Sequence, residues 1–170
     1  MANTYQLIAS VTVGSGGAAN MSFSSIPGTY TDLVVKISAR GTVALLGSSY
    51  KLSFNGSSSN FTIRALEGNG SSASSFTGTQ YVGSAVGSTA TASTFNNGEI
   101  YIPNYTSTTT AKSFSVDAVS ENNATEAYSD LIAGIWNPGT QAAITSIGLT
   151  PTTGDFTQYS TAVLYGIKNS

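Results

Sequence analysis

The chain has 170 residues, of which 8% are charged and 40% hydrophobic, with a formal net charge of -2; at roughly 150 residues per domain it reads as one domain over residues 1–170, and it lacks the high-charge, low-hydrophobicity signature of disorder. It contains no Cys and no His, which excludes disulfides, thiolate and imidazole metal sites, Cys nucleophiles and Ser-His-Asp machinery. The six cations, Lys36, Arg40, Lys51, Arg64, Lys112 and Lys168, are scattered where a nucleic-acid partner needs a basic cluster, and no run approaches the roughly 18 apolar residues of a membrane span.

Alternating apolar and polar residues, bounded by Gly, Asn, Pro and Ser clusters, mark half-buried strands along most of the chain. The first is expected from Tyr5 to Val13, and Gly14-Ser15-Gly16-Gly17 then supplies a turn. A second lies near Ala19 to Phe23. After Ile26-Pro27-Gly28, Asp32 to Arg40 places Leu33, Val35, Ile37 and Ala39 on one face. Tyr50 to Phe54 and Asn60 to Leu66 flank Asn55-Gly56, a tight-reversal signal that predicts a hairpin. Gly68 to Gln80 reads as a Ser/Gly loop, followed by a short run at Tyr81 to Val86 and a polar stretch to Ser93. Strands resume at Phe95 to Ile102, Lys112 to Val119, Tyr128 to Trp136, Ala142 to Thr150 and Phe156 to Ile167, about nine or ten in all. Between them, Glu121 to Asp130 is either a short helix capped by Asn123 or a structured loop.

With no helical crossovers and no internal repeat, the predicted fold class is all-β: an antiparallel two-sheet β-sandwich, jelly-roll-like. Its expected core holds Leu7, Leu33, Val35, Ile37, Leu52, Phe54, Ile100, Phe114, Val116, Leu131, Ile135, Ile147 and Leu164. The first and last strands are expected side by side.

Eight carboxylates, Asp32, Glu67, Glu99, Asp117, Glu121, Glu126, Asp130 and Asp155, allow a glycosidase-type pair in principle, but no spacing singles one out. Asp117 to Asp130 lacks the Asp-x-Asp-x-Asp-Gly calcium pattern. The glycine clusters at Gly14 and Gly68 match no phosphate-binding motif and read as turns. No catalytic residue, metal site or cofactor is therefore expected, and the chain is read as no enzyme. Aromatic residues in polar surroundings are the remaining candidates: Phe76, Tyr81, Tyr105 and Trp136. Each suits sugar stacking or a protein interface, with Phe76, Tyr105 and Trp136 as the interface candidates, and each equally suits closing one end of a core.

Several stretches carry a resemblance: Tyr5-Gln6-Leu7-Ile8-Ala9-Ser10-Val11-Thr12-Val13-Gly14-Ser15-Gly16-Gly17-Ala18-Ala19, then Phe23 to Leu33, Ser53 to Asn60, Gly68 to Ala73, Ile100-Tyr101-Ile102-Pro103-Asn104-Tyr105 and Gln158 to Ile167. The chain resembles marine tailed-phage virion proteins, cyanophage ones above all, over nearly its whole length. That resemblance implies a location in the virion, after synthesis in the host cytoplasm, and carries no catalytic residue. With no coiled coil or fibre shaft in the chain, the expectation is a capsid decoration (cement) protein on the outer shell, a homotrimer partnered by the major capsid protein. The alternative is a receptor-binding or glycan-binding tail-fibre or appendage tip, partnered by tail proteins and a host surface glycan. Membrane insertion and signal cleavage are not expected, since Met1 to Tyr5 has no basic region followed by a long apolar run.

Overall fold

The computed structural model describes residues 4–121 and 127–168. Twelve strands are formed: β1 (Tyr5–Thr12), β2 (Met21–Phe23), β3 (Asp32–Ser38), β4 (Gly47–Phe54), β5 (Phe61–Gly68), β6 (Ala73–Gly78), β7 (Tyr81–Val86), β8 (Asn97–Ile102), β9 (Lys112–Val119), β10 (Ser129–Trp136), β11 (Ile147–Pro151) and β12 (Thr161–Ile167). The described residues contain no helix, and residues 122–126 of the segment read as helix or loop lie outside them. Eight strands form one sheet in the order β1-β12-β3-β8-β9-β10-β5-β6, and four form the other, β2-β11-β4-β7. The expected antiparallel sandwich is what forms, with more strands than the eight of a simple jelly roll.

The terminal strands do pair, from Tyr5 opposite Ile167 to Thr12 opposite Thr161. Two local expectations are corrected. Asn55 and Gly56 take positive φ of 52° and 73°, and Phe54 and Ser57 exchange both backbone hydrogen bonds around them, so the tight turn is there. It leads to no hairpin, because β4 pairs with β11 and β7 while β5 pairs with β10 and β6; the chain reverses and then changes sheet. Asn55 secures that crossing: its Oδ1 accepts from the backbone amides of Thr145 (2.8 Å) and Ser146 (3.2 Å), and its Nδ2 donates to the carbonyl of Ala143 (2.8 Å). Secondly, the Ser/Gly loop contains β6, the edge strand of the large sheet, joined to β5 by a turn that Asn69 closes through its Oδ1 to the amides of Ser71 and Ser72. Serine and glycine have weak strand propensity, but pairing with β5 supplies the order that composition does not.

The two sheets are joined around Phe54 of β4. Its ring lies 5.3 Å from that of Phe61 on β5, 6.0 Å from Phe114 on β9 and 5.7 Å from Trp136 on β10, the last two edge to face. Such pairs add about 0.5–1.5 kcal/mol each beyond simple burial. Ten of the thirteen expected core residues are buried; Leu7, Leu131 and Ile135 are instead 62%, 55% and 41% exposed. On β10 the alternation is shifted by one residue, so that Asp130, Ile132 and Trp136 face inward. A strand offers two opposite faces, and choosing the other face moves every side chain across the sheet.

Gly134 is part of the same arrangement. It pairs with Phe114 across β9 and β10, and a Cβ at Gly134 would lie 2.1 Å from Phe114 Cζ. The ring cannot retreat, being packed against Phe54 and Phe61. Gly134→Ala is expected to lower the unfolding free energy by about 1–3 kcal/mol, the usual scale of core overpacking, measured by urea denaturation; an unchanged midpoint would show that Phe114 has somewhere else to go.

Candidate functional site

At the end of β10 opposite Trp136 the interlayer space is not filled. The small sheet presents Gly47 and Ser49 of β4 and Tyr81 and Ser84 of β7; the large sheet presents Glu67 of β5 and Phe76 of β6; Leu45, Leu46 and Tyr128 complete the wall of a cavity of about 580 Å³. Cavities of this size are typical of small-ligand sites. Phe76 and Tyr81 form a tilted ring pair with centroids 5.6 Å apart, tying the edge strand β6 to β7. Tyr128 approaches from the other side, where a Cβ on Gly47 would lie 3.6 Å from its Cε2.

Behind this wall stands Asp130, 1% exposed. Tyr81 Oη donates to its Oδ2 at 2.7 Å and lies 3.4 Å from Ser84 Oγ. Glu67 sits directly opposite Asp130 in the β5–β10 pairing. Among the described residues Asp130 Oδ1 has no hydrogen-bond partner, and neither does Ser120 Oγ, buried just beyond the same end of β9. Burial pushes the Asp130 carboxyl up from 3.8 to about 6; the Tyr81 hydrogen bond works against that shift and the nearby Glu67 charge adds to it. Burial likewise raises the Tyr81 hydroxyl, which therefore stays a donor. The result is a pocket with aromatic walls, several hydroxyls and the Glu67 carboxyl group, with Asp130 buried behind it. No Lys or Arg lines it.

Three of the six cations are engaged elsewhere. Arg40 donates to the backbone carbonyls of Ser88, Ala90, Thr91 and Thr94 and so clamps the loop between β7 and β8. Lys112 is buried, donates to the carbonyl of Thr110 at 2.7 Å and has its pKa lowered by desolvation. Lys36 pairs with Glu99 on the outside of the large sheet.

The sequence-derived interface residues divide. Tyr105 is fully buried, its hydroxyl donating to the carbonyl of Pro27, and Trp136 is buried against Phe54 and Phe61. Both close the core, which corrects their reading as contact residues: each ring finds more apolar surface inside the sandwich than a partner needs it to leave outside. Phe76 remains half-buried at the cavity wall. Tyr128, Glu67 and Asp130 escaped notice as a group because 61 residues separate Glu67 from Tyr128 in sequence (128 minus 67), and only the β5–β10 pairing brings them together.

A second feature lies on the outer face of the large sheet. In register across it run Val163, Lys36, Glu99, Asp117, Leu131, Leu66 and Ser75, beside Leu7, Tyr165, Val34, Tyr101, Ser115, Ala133 and Arg64. Leu66 (52% exposed), Leu131 and Ile135 stand out from this face; Leu66 and Leu131 border an apolar groove with Arg64, Ser115 and Ala133, and Ile135 borders a second, mixed one with Thr62, Arg64 and Ala133. Val34, by contrast, is fully buried on the outside of the sheet, between Tyr165 and Tyr101. Comparison of the chain with protein-family models, curated proteins and solved structures finds no match.

The raised pKa of Asp130 has a definite sign in stability. Its protonated form is favoured by folding, so the stabilisation is complete below pH 3.8 and is lost as pH rises through about 6. Between pH 3.5 and pH 7.5, wild type should therefore lose about 3 kcal/mol relative to Asp130→Asn, at about 1.4 kcal/mol for each pKa unit. Chemical denaturation of both proteins at the two pH values measures this, and parallel pH profiles would show that Asp130 titrates as it does in water.

Proposed function

We propose that this protein is a virion structural component, a capsid decoration protein that docks on the outer shell of a tailed phage through the outside of its eight-stranded sheet. The observation that carries the reading is an apolar patch on that face, where Leu66 and Leu131 are exposed opposite each other and Ile135 follows on the same strand as Leu131. Large exposed apolar groups grouped on one face mark an interaction surface more often than a solvated one. The resemblance of Tyr5 to Ala19, Ile100 to Tyr105 and Gln158 to Ile167 to marine phage virion proteins supports the location. Low charge supports the mode: contacts built on leucine, tyrosine and backbone groups are little affected by seawater ionic strength, which screens ion pairs strongly. The partner is the major capsid protein, and a homotrimer, the closed assembly expected of the chain, would present three such faces to the shell.

The tail-appendage reading differs in copy number. Mass-spectrometric stoichiometry of purified particles against the major capsid protein is expected to give hundreds of copies per particle; a few dozen or fewer would favour an appendage. The docking face is tested by Leu131→Lys combined with Leu66→Glu, which sets opposite charges on opposed positions beside Asp117 and so keeps the sheet satisfied. Both leucines are already half-covered, so the burial still available on docking is about 1 kcal/mol each. The double variant should fold normally and bind undecorated particles roughly tenfold to thirtyfold more weakly. Undiminished binding would take the interface away from this face.

A further inference from the structure

We propose that the cavity between the sheets, walled by Phe76, Tyr81 and Tyr128 and bearing Glu67 over Asp130, binds a neutral carbohydrate. The site goes beyond the docking role and is independent of it, since it lies between the sheets while the docking face lies outside the large one.

The chemistry of the wall selects the ligand. Aromatic rings in the wall favour the C–H groups of a sugar ring, and Phe76 and Tyr81 are already fixed against each other at 5.6 Å. Glu67 is an acceptor for ligand hydroxyls, and Ser49, Ser84 and Tyr81 add hydroxyls of their own. The Tyr81 hydroxyl is already held by Asp130, but a purely apolar ligand would leave Glu67 without its hydrogen bonds to water, at a cost comparable to losing them. An anionic ligand would face Glu67 with no Lys or Arg in the wall to offset it. A compact organic cation is attracted to both rings and carboxylate, but it has no use for the hydroxyls, and its volume suits a tight cage better than a cavity of about 580 Å³. A neutral, hydroxyl-rich ring satisfies every group at once.

The wall is also braced from behind. Asp130, almost wholly buried, keeps Oδ1 without a partner among the described residues. Asp130 stands immediately behind two wall residues, hydrogen-bonded to Tyr81 and opposed to Glu67. Its Oδ2 accepts from the Tyr81 hydroxyl and so holds that ring in place in the cavity wall.

The test is titration of the whole protein, followed by NMR, with maltose, cellobiose, lactose and mannobiose, with sialyllactose as the anionic probe and choline as the cationic one, each to tens of millimolar. At least one neutral disaccharide is expected to saturate and to shift resonances of Glu67, Phe76, Tyr81 and Tyr128. Glu67→Gln, which preserves shape, should weaken that binding about tenfold, the scale of one hydrogen bond to a charged group; Phe76→Ala should weaken it at least as much, and Ser75→Ala, on the outer side of the same strand, should leave it unchanged. Spectra of the free variants establish that each is folded, and if Phe76→Ala is not, Glu67→Gln decides alone. Saturation by choline or sialyllactose alone, no binding by any disaccharide, or affinity unchanged in Glu67→Gln would overturn the proposal. None of these outcomes bears on particle stoichiometry or on the Leu131 and Leu66 variant, so the two readings fail separately.

Discussion

The packing of Phe54 between the sheets is the contact on which the rest of this structure depends. It draws Phe61, Phe114 and Trp136 of three adjacent strands toward one ring on the opposite sheet, and once Trp136 faces inward the whole of β10 is committed. Ile132 and Asp130 must follow it in, and Leu131, Ala133 and Ile135 must face out. The alternative register would bury Leu131 and Ile135 and free Asp130, a gain of about 1.5–3 kcal/mol for each apolar side chain. It would also expel Ile132 and an indole that buries on the order of 150–250 Å², and would break its ring contacts. Gly134 adds a steric vote: only a residue without a Cβ fits beneath Phe114. The aromatic cluster wins, and a buried carboxyl at the far end of the strand is one of its consequences.

The other consequence is the division of the molecule into two surfaces of different chemistry. Outside the large sheet, the outward leucines and isoleucine make an apolar patch in a protein three of whose six cations are occupied with internal carbonyls or a local ion pair. Between the sheets, four strands cannot cover eight, and the uncovered end at β5, β6 and β10 is lined by aromatic and polar groups. The sheets are pressed tightly together next to it, where a Cβ on Gly83, at φ 122°, would come within 2.9 Å of Ala118. Close contact at Gly83 and an open cavity beside Gly47 make the interlayer gap uneven, and that unevenness shapes a pocket.

Part of this was legible beforehand. Period-two alternation located most strands, including Lys112–Val119 to the residue, and the pairing of the terminal strands agreed with their length and β-branched content. The Asn55-Gly56 dipeptide gave the right turn and the wrong partner, because positive φ at both positions fixes how the chain reverses but says nothing about which sheet receives it. The order of β6 was hidden by its serines and glycine, whose preference is weak until a neighbouring strand supplies hydrogen bonds. Phe76 and Tyr81 were visible as aromatics in polar company. Glu67 and Asp130 were two of eight undistinguished carboxylates.

Sequence alone thus determined the class of the fold, the turns, the absence of thiol and imidazole chemistry and the poverty of surface charge, since each of these is local or compositional. Tertiary structure decided the register of β10, and through it which leucines face outward, where Tyr105 and Trp136 go, and that Asp130 stands opposite Glu67. The physical reason lies in the symmetry of a strand: alternation defines two faces without saying which is inside, and that choice is made only when the volumes of residues distant in sequence, here Phe54, Phe61, Phe114 and Trp136, are fitted into one space.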